Sequence, residues 1–156
     1  FGTNWRMTEM QAVIGRIQIQ RMAEWTQKRQ ENAAVIEAAI TDLPIVRSVD
    51  IPNYIEHAEY KHYMFICPEH LKPDWTRDKV VDAIVERGVP AYQGSCSEVY
   101  LEKAFDDTGF RPESRLKNAV ELGETSLMFL VHPTLTLDEI NKTAEVIRSV
   151  LLEAQA

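Results

Sequence analysis

The segment TEMQAVIGRIQIQRMAEWTQKRQENAAVIEAAI, Thr8 to Ile40, decides how the rest of the chain is read. Thr8 followed three residues later by Gln11 has the form of a capping box, in which the two side chains satisfy backbone groups at a helix start. Met10, Val13, Ile14, Ile17 and Ile19 then recur at mostly helical spacing, and Trp25, Val35, Ile36, Ala39 and Ile40 continue the apolar face. Glu24 and Lys28 stand at i,i+4 and are expected to pair. The spacing predicts one helix from Thr8 to about Ile40. Its middle, Gln27-Lys28-Arg29-Gln30-Glu31, has almost no apolar surface, and a helix so long and so divided more often bridges two bodies or two subunits than belongs to one core. Gly15 costs about 1 kcal/mol relative to Ala in a helix interior, which suggests a close packing partner there.

Beyond Asp42 and Pro44 the periodicity changes. Ile45 to Val49 and Tyr60 to Ile66 are rich in strand formers, and Pro68 and Pro73 close that stretch. Thr76 opens a second helix through Val80, Val81, Ile84 and Val85, which Gly88 ends, and Val89 to Tyr92 is a short strand. This strand-helix-strand unit would form a parallel crossover if both strands share a sheet. Gly94 to Pro112 is expected to be a long surface loop holding a short helix. Arg115 to Leu122 is a short helix stopped by Gly123, TSLMFLV is a buried strand, and a second capping box, Thr136 with Glu139, starts a terminal helix. The expected class is α+β: a linking helix (residues 1–42), then a small domain (43–156) of about four mixed strands with helices mainly on one face.

Composition narrows the function. The 156 residues carry a net charge of -7, which argues against a phosphate backbone as the main partner. The longest apolar run, Leu127 to Val131, is far short of the roughly 20 residues a bilayer requires. Cys67 and Cys96 lie far apart without C-x-x-C spacing, so neither a disulfide framework nor a zinc site is suggested, and a reducing cytoplasm fits. His57, His62, His70 and His132 show no metal-ligand spacing.

Candidate site residues follow from position. Asn4 and Arg6 precede a helix start, where unpaired N–H groups and a guanidinium fork suit an anion; the plain alternative pairs Arg6 with Glu9 or leaves it in solvent. His132 ends a buried strand, a place that often lines a cleft, and His62 alternates with aromatic residues as a partly buried polar group. Glu98 and Tyr100 suit hydroxyl-rich ligands or, equally, the first turn of a short helix. Cys96 has no evident activating base and is expected to be an inert loop thiol. No catalytic constellation emerges from these residues.

The run Gly2-Thr3-Asn4-Trp5-Arg6-Met7-Thr8-Glu9-Met10-Gln11-Ala12-Val13-Ile14-Gly15 closely resembles the G-x-N-x-R-(M/L)-T-(E/D)-(L/M)-Q-A-A-(I/L)-G signature of the DegT/StrS family of pyridoxal-phosphate-dependent sugar aminotransferases. Arg29-x-x-Asn32-Ala33 extends the likeness, and HYMFI, RDKVVDAIVERGVPA and HPTLTLDEI resemble that family's small domain. The resemblance implies the C-terminal part of a type I aminotransferase fold, with the Schiff-base lysine upstream of this chain, which by itself would be inactive. It implies a homodimer whose cofactor site is shared, with Asn4 contacting the partner's cofactor phosphate and Arg6 beside it. Where many members carry an HYxPLH-like run, this sequence reads YQGSCSEVY, so the sugar side of the cleft is assigned to Tyr92, Ser95, Ser97, Glu98 and His132. The implied reaction moves an amino group from glutamate or glutamine to a keto-sugar nucleotide or a keto-inositol. A free-standing α+β module that binds or dimerises without catalysis is the competing reading.

Overall fold

The computed structural model describes residues 5–94 and 96–156. Helix α1 (Glu9–Ile40) leads into strand β1 (Val46–Ser48) and strand β2 (His62–Ile66). Helix α2 (Arg77–Glu86), strand β3 (Ala91–Tyr92), helix α3 (Lys117–Thr125), strand β4 (Ser126–Phe129) and helix α4 (Leu137–Ala154) follow. Both expected capping boxes are formed, at Thr8 with Gln11 and at Thr136 with Glu139. Thr76 caps α2, and Gly88 after it takes φ +78°, a left-handed conformation that favours glycine.

The sheet order is β1-β2-β4-β3, and every hydrogen-bonded pair is antiparallel. Strands β2 and β3 therefore run in the same direction, but β4 lies between them, so the expected crossover spans a strand instead of joining neighbours. The register places Met64 beside Leu127 and His62 beside Phe129 on one face, and Tyr63 beside Met128 and Phe65 beside Ser126 on the other. The first face meets Ile36 and Ile40 of α1, Val80 and Ile84 of α2, and Ile147, Val150 and Leu151 of α4, all in one buried cluster. Full burial of each such side chain contributes about 1.5–3 kcal/mol relative to exposure.

Two polar contacts fix α1 against this core. Buried Asn32 donates its amide to the carbonyls of Val131 (3.3 Å) and His132 (3.2 Å), just after β4. Arg148 of α4 donates to the Ala39 carbonyl at 2.6 Å and grips both oxygens of Asp42 at 2.6 and 2.8 Å. The last turn of α1 has no basic residue of its own, so α4 supplies the cation that its carbonyl end favours.

Two local expectations are corrected, and a third is not met within this chain. Lys28 pairs with Glu31 at 3.4 Å in place of Glu24, a geometry equally open on one helix face. Helix α3 runs through Gly123 to Thr125, because that glycine serves closeness: a Cβ there would lie 2.6 Å from the Ser97 hydroxyl. Gly15 has nothing within 4 Å of the position its Cβ would occupy, so no described part of this chain is the close partner its sequence position suggested.

Candidate functional site

A cavity of about 780 Å³ lies where α1, the end of β1, the 49–61 segment and β2 meet. Its apolar wall includes Val49, Ile51, Ile55 and Phe65, and its polar lining includes Glu37, His57, Glu59 and His62. The His62 side chain is only 10% exposed, and its Nε2 stands 3.3 Å from Glu37 Oε2 while Nδ1 stands 3.7 Å from Glu59 Oε2. Neither His62 Nε2 nor Glu37 Oε2 has a partner in hydrogen-bond geometry, although both atoms are buried. A protein interior rarely leaves such atoms unsatisfied without a ligand, a solvent molecule or a function to explain it.

The remaining carboxylate oxygens are occupied. Ser48 Oγ donates to Glu37 Oε1, and His57 Nδ1 lies 2.9 Å from Glu59 Oε1. Burial opposes ionisation of Glu59, but the nearby imidazoles of His62 and His57 outweigh it and hold the carboxyl below its usual range. Glu59 also takes φ +46°, an uncommon left-handed conformation for a side-chain-bearing residue, which is retained where surrounding contacts fix it. The cluster thus joins α1, β1, β2 and the preceding loop. Sequence reading reached His62 as a polar strand residue but missed Glu37, His57 and Glu59, because nothing in their spacing shows that a helix and a loop converge on one strand end.

The residues assigned to the sugar side fall into separate places. Tyr92, about half exposed, is paired across β3 and β4 with Met128 and shares the second sheet face with Tyr63 and Phe65. Ser97 and Glu98 lie beyond β3, near the start of β4, where Ser126 Oγ donates to the Gln93 carbonyl at 2.5 Å. His132 lies past the opposite end of β4, its Nδ1 2.8 Å from Thr134 Oγ1. The fold therefore leaves Tyr92 beside Met128 within the sheet, brings Ser97 against Gly123 just ahead of β4, and puts His132 past the opposite end of that strand. Ser95 and Asn4 lie outside the described residues.

Glu98 accepts from Arg115 Nε at 2.8 Å and from the Tyr100 hydroxyl at 2.7 Å. Arg115 first, then Tyr100, hold its carboxyl down to about 2. Cys96 lies 3.5 Å from a Glu102 oxygen, and burial together with that carboxylate pushes the thiol up, away from nucleophilic character. Arg6 is exposed directly ahead of the capped first turn of α1. Its fork and the nearby helix start match the donor chemistry of a phosphate, so the segment fits the phosphate end of a pyridoxal coenzyme.

Comparison with known proteins places this geometry. The model of the DegT/DnrJ/EryC1/StrS aminotransferase family matches residues 1–148. The chain belongs to that family. An aminotransferase from Psychrobacter cryohalolentis is 50% identical and superposes with a TM-score of 0.91, over 99% of this chain and 41% of the other. The dTDP-4-dehydro-2,3,6-trideoxy-D-glucose 4-aminotransferase of Saccharopolyspora spinosa is 23% identical over 138 residues, 88% of this chain and 33% of that protein. A protein of Geobacillus stearothermophilus named a pleiotropic regulatory protein is 25% identical over 94% of this chain and 39% of its own length. The chain thus spans well under half the length of these relatives. The α+β architecture of the described residues, four α-helices with a four-stranded antiparallel sheet, agrees with a C-terminal domain of the aminotransferase fold. Among the described residues no group of three His, Cys, Asp or Glu is arranged to hold a metal, and no helix is long and apolar enough to cross a membrane.

Proposed function

We propose that this chain forms the linking helix and small domain of a pyridoxal-phosphate-dependent sugar aminotransferase working as a cytoplasmic homodimer. The observation that carries this reading is the match, across nearly the whole chain, to an aminotransferase half identical in sequence. The acceptor is a keto-sugar nucleotide or a keto-inositol and the donor glutamate or glutamine. The nucleotide-linked keto-sugar named for the Saccharopolyspora relative supports the first of these acceptors.

Asn4 and Arg6 hold the coenzyme phosphate across the dimer, by an amide hydrogen bond and a guanidinium fork respectively. Pyridoxal phosphate, when bound, supplies the electron-withdrawing ring that stabilises negative charge at the carbon losing its proton. Tyr92, Ser95, Ser97, Glu98 and His132 belong to the sugar side. The cavity at His62 extends that side, since Tyr63 and Phe65 line it from the same sheet face as Tyr92. Exposed Met10, Val13, Ile14 and Ile17 on the first half of α1 pack against the rest of the enzyme or its second copy.

The test uses the intact protein. It should bind pyridoxal phosphate with the absorbance of a lysine-linked coenzyme and aminate a member of a panel of UDP- and dTDP-linked keto-hexoses in the presence of glutamate or glutamine. Asn4→Ala should weaken coenzyme retention by about 1.5–3 kcal/mol without loss of fold. An intact protein that neither binds the coenzyme nor turns over any of the panel would overturn the reading.

A further inference from the structure

Glu98 was assigned to the sugar because a carboxylate in a loop can accept from hydroxyl groups. In the structure that carboxylate is already committed. Its side chain is 15% exposed, Arg115 approaches it through both Nε and a terminal nitrogen, and the Tyr100 hydroxyl donates to it at 2.7 Å. Tyr100 in turn accepts from the Leu116 backbone N–H at 2.9 Å. One continuous chain of donors thus runs from Leu116 through Tyr100 to Glu98 and closes on Arg115, joining the start of the 98–116 excursion to its end.

Other contacts hold the same excursion in one shape. Arg111 donates to the carbonyls of Tyr100 (2.9 Å), Leu101 (2.9 Å) and Glu102 (3.1 Å) and pairs with Asp106. Ser97, the neighbour of Glu98, is seated against α3, where a Cβ at position 123 would come within 2.6 Å of its hydroxyl. Gly94, at φ +86°, lies as close to Ser126, where an added Cβ would come within 2.6 Å of the hydroxyl. The N-terminal flank of the excursion is docked on β4 and α3, its C-terminal flank runs directly into α3, and the Glu98 network closes its base. A bidentate arginine on a carboxylate fixes direction as well as distance, which a lysine or a lone hydrogen bond does not.

The geometry points to Glu98 as a positioning residue and not a substrate ligand: with Arg115 and Tyr100 it clips the 98–116 excursion shut and thereby sets where Tyr92 and Ser97 meet the sugar. This role rests on the aminotransferase reading for its consequence, though the clip itself stands on the contacts alone.

A charge-swap cycle in the intact protein tests it, with Glu98→Arg, Arg115→Glu and the double variant compared by two readouts. The first is hydrogen exchange of the amides from 99 to 116. The second is KM and kcat for whichever UDP- or dTDP-linked keto-hexose the wild type accepts. Either single variant should speed exchange throughout the excursion and raise the sugar KM about tenfold, with a smaller change in kcat. The double variant should recover both, because the ion pair is re-formed with its ends exchanged. Normal exchange in both single variants would overturn the clip. If exchange recovers in the double variant while KM remains as poor as in Glu98→Arg, and Arg115→Glu alone leaves KM untouched, Glu98 binds the sugar and the positioning role is wrong. If the wild type neither binds the coenzyme nor accepts any keto-sugar nucleotide or keto-inositol, the aminotransferase reading fails while the exchange data still decide whether the clip exists.

Discussion

The two halves of α1 are one continuous helix with opposite surroundings. From Asn32 onward its inner face, Asn32, Ala33, Ile36 and Ile40, is buried against the sheet and α4. Before Glu31 most of its large apolar residues remain in the open, Met10 77% exposed and Ile19 72%, while Trp25 is half-buried. Hydrophobic periodicity is present in both halves, so it reports only that a face is meant to be covered. Whether the cover comes from this chain depends on where the chain goes next.

The sharpest way to probe this difference is to cut the same residue type in each half. Ile36→Ala should cost about 2–5 kcal/mol in chemical denaturation, because the side chain is fully enclosed and leaves a cavity. Ile17→Ala, half exposed in this chain, should cost under about 0.5 kcal/mol in the same measurement and act instead on association, read by sedimentation. Equal losses in the two variants would show that the first half is packed within this chain after all.

A smaller effect is expected at the boundary between the halves. Asn32→Ala removes the donor to two carbonyls after β4 and should destabilise by about 1–3 kcal/mol, with faster amide exchange around Val131 to Thr134. An unchanged melting temperature would mean that other donors satisfy those carbonyls and that the anchoring of α1 is purely apolar.

Next comes a pH effect in the segment facing the buried half. The Glu59 carboxyl titrates below its ordinary value in the folded chain, so its ionisation supports the fold above that ordinary value, and the support fades as pH falls through the native one. The 49–61 segment should therefore exchange faster under acid than at neutrality, and Glu59→Gln should flatten that dependence. A profile identical in the variant would assign the acid sensitivity to other carboxylates. Smallest of all, Glu31→Gln, which removes the exposed pair with Lys28 on the open half, should change stability by less than about 0.5 kcal/mol. A loss several times larger would mean that this turn is covered.

Much of this organisation was readable in advance. Thr8 with Gln11 and Thr136 with Glu139 announce helix starts because a cap is a local hydrogen-bond pattern four residues long. The α+β class and the family likeness were legible for the same reason, carried by contiguous residues. The insertion of β4 between β2 and β3 was not, since strand order depends on contacts between segments more than thirty residues apart. Gly123 shows the same limit at one residue: taken as a helix stop, it is a point of close approach to Ser97, a fact that exists only once the loop has folded back.

The sequence alone therefore determined the elements, their caps and the apolar faces, because these depend on neighbours within a few turns of the same segment. Only the tertiary structure decided that Glu37, His57, Glu59 and His62 meet at one cavity, that Glu98 is enclosed by Arg115 and Tyr100, and that Ser97 and His132 lie beyond opposite ends of β4. Those are matters of distance between remote parts of the chain, and a distance of that kind is fixed by the packing of the whole core.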